Sequence, residues 1–355
     1  MRLFQRRSAQ RLVALLAVGF IAAAVAAAPA PAAAEAVSLY SYRQAFLIQP
    51  ILDAFTEETG IKVNAVYAEK GILERLKAEG ANSPADLVLA ADVGALNDMV
   101  EAGVLQPVSS PILEETIPAQ YRHPDGLWYG LTTRGRVIVA SRDRVGAEEL
   151  SAYEDLADPR FKGRVCSRSG KHVYMVSLIA SMIAQDGEEK TEEWLRGVRD
   201  NLAQKPQGND RAQIKAVYEG ACDVAIVNTY YLGHLATTTE EPEQNEWAEA
   251  VRIVFPNQNG RGAHVNVSGA AVTKSASQRD NAIKLLEFLV SDEAQRLYAE
   301  QNFEYPIKDG VPLHPVVASW GEFKADDVSL AEVANYRAAA SRMVDRVGFD
   351  QAAGF

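Results

Sequence analysis

Tyr230 and Tyr231 stand side by side, shortly after the apolar run 224–227. Two adjacent phenols at the start of a helix or loop have a bland reading, in which one ring packs inside and the other lies outside. They also have a chemical one. Two phenolates and a few further hard oxygen donors make a site for Fe3+, a hard ion that prefers anionic oxygen to thioethers or thiols. Free tyrosine ionises only near pH ~10, but a bound cation favours the deprotonated ligand.

Other chemistry finds less support. There is no Gly-x-Ser-x-Gly elbow for a serine nucleophile and no His-Glu-x-x-His zinc motif. Ser167-Arg168-Ser169-Gly170-Lys171 lacks the full Gly-rich phosphate loop and reads as a polar turn after a strand. The two cysteines, Cys166 and Cys222, most simply pair in an oxidising compartment. The alternatives are two buried thiols or a metal pair, although without histidines at ligand spacing they make a poor zinc site. An enzyme is not expected.

The chain begins with Arg2, Arg6, Arg7 and Arg11, an apolar run over 12–28, Pro29, Pro31 and an alanine-rich stretch ending Ala34-Glu35-Ala36. This pattern is an export signal over 1–36, with cleavage near Ala34 or Ala36. Arg6-Arg7 lacks the rest of a twin-arginine motif, which favours general secretion. With no cysteine nearby, a lipid anchor is not expected. The alternative is that the same apolar run is an uncleaved membrane anchor; no later stretch is apolar and long enough to span a bilayer. The net charge is -11, and the signal segment carries four arginines, so the mature chain is more acidic still. It has no basic block for nucleic acid and no basic amphipathic face for a membrane.

About 320 residues follow the signal, which suits two domains. Strand patterns over 37–41, 61–67 and 86–90 alternate with helix patterns over 47–58, 71–79 and 93–101. That alternation predicts a largely parallel sheet covered on both faces. The stretch 121–135 is rich in turn residues, and 136–141 is a strand that leaves one domain for the other. Helices over 173–185, 188–201 and 210–219 precede a strand over 223–227. A further strand over 251–255 leads to a glycine-rich second crossing over 257–264. The segments 269–273 and 282–290 return to the first domain, and a helical tail over 328–347 packs on the second. The expected α/β fold therefore has two lobes, each a mostly parallel sheet flanked by helices. An N-terminal lobe is built from 37–134 and 258–308, and a C-terminal lobe from 135–257 and 309–355. Two lobes joined by crossings allow hinge closure on a ligand in the cleft between them.

Several segments combine: Tyr40-Ser41-Tyr42-Arg43 at the opening, the run 55–63, Ser83-Pro84-Ala85-Asp86, the run 130–136, Asp158-Pro159-Arg160-Phe161-Lys162-Gly163, and Tyr230-Tyr231. Together they resemble the periplasmic ferric-ion-binding proteins of bacterial ABC iron importers, sometimes called bacterial transferrins. The resemblance covers essentially the whole mature chain and implies a class II periplasmic binding-protein fold. It implies Tyr230 and Tyr231 as Fe3+ ligands, with Tyr174 as the third tyrosine of one branch. Arg43 and Arg134 match arginines that hold a synergistic carbonate or bicarbonate. Gln44 occupies the slot where another branch has a histidine ligand, and the first-lobe glutamate of some members has no clear match. A site of three tyrosines and a bidentate anion follows. Three phenolates neutralise the metal, carbonate adds negative charge, and two planar guanidinium forks restore the balance. The implied protein is a periplasmic monomer that delivers Fe3+ to an inner-membrane ABC permease.

Each residue has an ordinary alternative. Tyr174 could be core, Arg43 a surface arginine, and Arg134 half of an ion pair at the hinge. Tyr42 could line the cleft, support the ligands or pack in the core, whereas Tyr40 is expected in the sheet. His172, Gln44 and Asn228 are candidates for supporting hydrogen bonds. His123, His234, His264 and His314 are scattered, and none is assigned to the metal. The competing reading is a carrier for another solute. An organic anion would use the arginines, a polyamine would use acids near Asp86 and Asp92, and a ferric chelate would use the whole site.

Overall fold

The computed structural model describes residues 36–352. The export signal, apart from Ala36, lies outside them. Nine strands run in chain order: β1 (Ala36–Ser41), β2 (Lys62–Tyr67), β3 (Leu87–Ala90), β4 (Tyr129–Ser141), β5 (Val165–Cys166), β6 (Val224–Asn228), β7 (Val251–Val254), β8 (Val265–Val272) and β9 (Tyr305–Pro306). They are hydrogen-bonded in the order β2-β1-β3-β8-β4-β6-β5, with β7 and β9 also paired to β4.

The sheet is mixed rather than mostly parallel. Only β1–β2, β1–β3 and β5–β6 are parallel. The pairs made by β4 and β8 are antiparallel. The reason is topological. Strands joined by a helical crossover come out parallel, but β4 and β8 carry the chain between the two halves of the sheet in opposite directions.

β4 is the central element. Residues up to Gly135 pair with β8, and Arg136 to Ala140 pair with β6, so one 13-residue strand belongs to both halves. The second half of the stretch expected to be turns is therefore strand. Gly130 misled the pattern because it reads as punctuation. It serves close approach instead: a Cβ there would stand 2.6 Å from the Tyr121 carbonyl oxygen.

Side chains alternate across the sheet with a period of two, which puts an apolar cluster on each face of each half. In the first half, Val37, Leu39, Leu87 and Leu89 face one way, and Tyr40, Val88 and Ala90 the other. In the second half, Ile138, Ala140 and Ile226 face one way, and Val137, Val139 and Val227 the other. The tail forms two helices, Leu330–Asn335 and Arg337–Val347. Met343, Val344 and Val347 join the second-half core, while Leu330 reaches a first-half cluster. Cys166 and Cys222 form a disulfide with Cα atoms 5.9 Å apart. Among the described residues no helix is long and apolar enough to cross a membrane.

Candidate functional site

Four helices begin at one cleft: Ala45–Thr59, Val173–Asp186, Asp210–Tyr218 and Thr229–Thr237. Each places its second residue in the lining, namely Phe46, Tyr174, Arg211 and Tyr230. Helix N-termini carry partial positive charge, so phenolates and anions are favoured where they converge. The cleft has a volume of about 280 Å³. It brings together Tyr42, Arg43, Gln44, Arg134, Tyr174, Tyr230 and Tyr231 from segments distant in sequence.

The phenolic oxygens of Tyr174 and Tyr230 are 3.1 Å apart. The rings of Tyr230 and Tyr231 lie 4.4 Å apart between centroids. Burial, reinforced by Tyr174 and Tyr231, holds the Tyr230 phenol well above the ordinary tyrosine range. Burial likewise pushes Tyr231 up to about 12, with Tyr174 adding to it. Tyr230 and Tyr231 are thus held as phenols in the metal-free site, ready to exchange protons for a cation. Among the described residues no group of three or more His, Cys, Asp or Glu side chains could hold a metal. The hard donors gathered here are the phenols and one carboxylate, Glu304, which is paired to Arg43.

Guanidiniums surround Tyr174, with Arg168, Arg134 and Arg136 at 5.1, 5.7 and 5.8 Å from its ring centroid. Arg136 and Arg168 are fixed by the fully buried Asp210, at 2.6 and 2.9 Å. Arg134 donates to the Ala91 carbonyl and stands 3.7 Å from Asp92, while its Nε and Nη1 are buried without a partner. Arg43 is not a surface residue. It is buried and paired to Glu304 at 2.9 Å.

The remaining candidates separate. Tyr42 lines the cleft, and its hydroxyl accepts from the Leu73 amide at 3.1 Å. Gln44 lines the cleft as the residue preceding a helix. His172 is outside the lining. Its Nδ1 accepts from the Tyr174 amide at 3.2 Å, and burial, then Arg168, pushes its pKa down to about 4. This neutral ring packs edge-on against Tyr174 at 4.6 Å. Asn228 is behind the site, accepting from Arg136 at 3.1 Å. Tyr40 is packed in the sheet. The acids considered for a polyamine are spent on structure. Asp86 accepts from the Ser38 and Gln278 amides, and Asp92 caps the helix Val93–Glu101.

Among the polar lining residues, Asn209, Arg211, Asn302 and Glu304 were not singled out in the sequence, and His234 was given no role. Arg211 carried a usable signal, since it holds the same place in its helix as Tyr174 and Tyr230 do in theirs. His234 and Glu304 carried none. His234 lies 6.3 Å from the Tyr230 ring and 4.8 Å from Phe303. Gly233 permits this approach, because a Cβ there would stand 2.5 Å from the Phe303 ring.

Residues 82–322 match the family described as bacterial extracellular solute-binding protein, and this chain belongs to that family. It has the two-lobe α/β fold of periplasmic solute-binding proteins. It is 48% identical to iron uptake protein A1 of Synechocystis sp. over 89% of this chain and 88% of that one. It is 47% identical to ferric iron-binding protein A of Mannheimia haemolytica, solved in an open conformation, with a TM-score of 0.84 over 89% and 99% of the two chains. A Trichodesmium protein solved in complex with iron and citrate is 46% identical, with a TM-score of 0.85 over 88% and 99%.

Proposed function

We propose that the protein is a periplasmic carrier of Fe3+, not an enzyme, and that Tyr174, Tyr230 and Tyr231 bind the ion as phenolates. The observation that carries this reading is the meeting of three phenols from two helix starts in one cleft, with Tyr174 and Tyr230 at hydrogen-bonding distance. The relatives named for ferric-ion binding and iron uptake support it. Carbonate or bicarbonate is the synergistic anion, taken up at the Arg134 side of the cleft with Arg43 behind it. His172, Tyr42, Gln44 and Asn228 orient the ligands or their backbone. The monomeric carrier then delivers its cargo to an inner-membrane ABC permease.

The lobes are 37–134 with 258–308, and 135–257 with 309–355. On this division Arg43 belongs to the first lobe and the tyrosines to the second. Iron loads on the tyrosine side, and the anion draws the first lobe inward. The export signal is removed near Ala34 or Ala36. The deciding experiment is an absorption spectrum of metal-free protein after ferric salt and bicarbonate are added. A red to orange phenolate-to-iron charge-transfer band is expected. A colourless protein after full loading would rule out tyrosinate coordination.

A second reading, a ferric-chelate carrier, is favoured by one observation. The cleft approaches the size of small-molecule sites, roughly 300 Å³ and upward, which leaves room beyond a metal and carbonate.

A further inference from the structure

We propose that Arg211 is a second anion subsite, which takes the far carboxylate of a di- or tricarboxylate whose near end ligates the metal. This rests on the tyrosine reading above and adds a second class of anion, one that would take the place of carbonate on the metal.

The other guanidiniums of the site already have carboxylate partners: Arg43 has Glu304, Arg134 has Asp92, and Arg136 and Arg168 share Asp210. Among the described residues Arg211 forms no ion pair, and its Nε is buried without a hydrogen-bond partner. A buried donor without a partner is costly, and a carboxylate would satisfy it. Three phenolates cancel the charge of Fe3+. A chelating acid with one carboxylate left over would bring the negative charge that Arg211 lacks.

Position agrees with charge. Arg211 and the tyrosines line the same cleft. His234, which lines the same cleft, has its ring centroid 6.3 Å from that of Tyr230. A second cavity of about 500 Å³ shares Phe46, Arg211 and His234 with the cleft and continues past them. Glu240 and Glu241 line that outer cavity. A carboxylate reaching beyond Arg211 would meet like charge, so the ligand ends at Arg211. Carbonate on the metal has no free carboxylate to offer it.

The test loads metal-free protein with ferric salt in either bicarbonate or citrate and adds a competing chelator, while the charge-transfer band is followed. Iron loss from the unaltered protein should be roughly tenfold slower in citrate, as one charge-assisted hydrogen bond to a charged group provides. Arg211→Gln should bring the citrate rate up to the bicarbonate rate, and Arg211→Lys should restore part of the difference. Circular dichroism checks the fold of both variants. An undiminished citrate advantage in Arg211→Gln, or none in the unaltered protein, overturns the proposal. If no band forms with either anion, it is the tyrosine reading that fails. Calorimetry of citrate with metal-free protein then decides on Arg211: binding lost in Arg211→Gln supports the subsite, and no binding to the unaltered protein overturns it.

Discussion

The hydroxyl groups of Tyr174 and Tyr230 share a hydrogen bond of 3.1 Å, although 56 residues separate them. One of the two must donate a proton, so the pair cannot both be phenolate while that bond persists. A cation that takes both oxygens replaces the shared proton. Tyr230→Phe and Tyr174→Phe should each lose or shift the charge-transfer band. Neither should unfold the protein, since only one hydroxyl is removed. Visible spectra and thermal melts of the loaded variants check this.

Acid should release the ion. The Tyr230 phenol is held well above the usual range and Tyr231 at about 12, chiefly by burial. Raised values mean that protons are held tightly, so the cation must displace them and binding must release protons. Affinity therefore rises with pH and falls as pH falls. Titration of the loaded protein downward from neutral pH, following colour and bound iron, checks this. Iron fully retained in strong acid by a folded protein would count against the ligand set.

Arg43 and Glu304 form a buried ion pair at 2.9 Å. Glu304→Ala strands a buried guanidinium, a loss of about 3–5 kcal/mol for pairs of this kind. Urea denaturation of the metal-free variant should show it. If Arg43 also contacts the anion, bicarbonate should recover part of that stability in Glu304→Ala. Arg43→Ala should weaken the anion dependence of iron retention.

His264 is buried beside Arg134, Arg136 and Arg261, and its pKa is pushed down to about 3, by burial first and these charges next. A histidine in the unfolded chain titrates near 6.5. Below that pH the unfolded state takes a proton that the folded state refuses. Its effect is absent above 6.5, and stability falls as pH drops from there toward 3. The slope is about 1.4 kcal/mol per pH unit for one such group. His264→Gln should remove that share of the slope between pH 6 and 4, as read from urea midpoints.

Loading should compact the molecule modestly. On the proposed lobe division, which puts the tyrosines on one lobe and Arg43 on the other, an anion held by both would link the lobes and shift the population toward closure. Small-angle scattering of metal-free, ferric and ferric-plus-bicarbonate samples measures it. Identical profiles would remove closure as the loading signal. Full closure with ferric ion alone would mean that first-lobe side chains hold the metal directly, with Tyr42 and Gln44 the first to examine.

The alternation of strands and helices was legible along the chain because a sheet repeats every two residues and a helix every 3.6, and both periods are local. Export, the acidic surface and the unusual Tyr230-Tyr231 pair are equally local. The sheet's mixed direction was not legible, because β4 acquires its role from pairing with β8 on one side and β6 on the other. Nor was the full lining of the cleft. Glu304 precedes a two-residue strand and meets Arg43 across 261 positions. Arg211 stands apart because, among the described residues, it lacks the acid that Arg43, Arg134, Arg136 and Arg168 have each found. Which charges are matched, and which one is left over, depends on distances that only the tertiary fold sets.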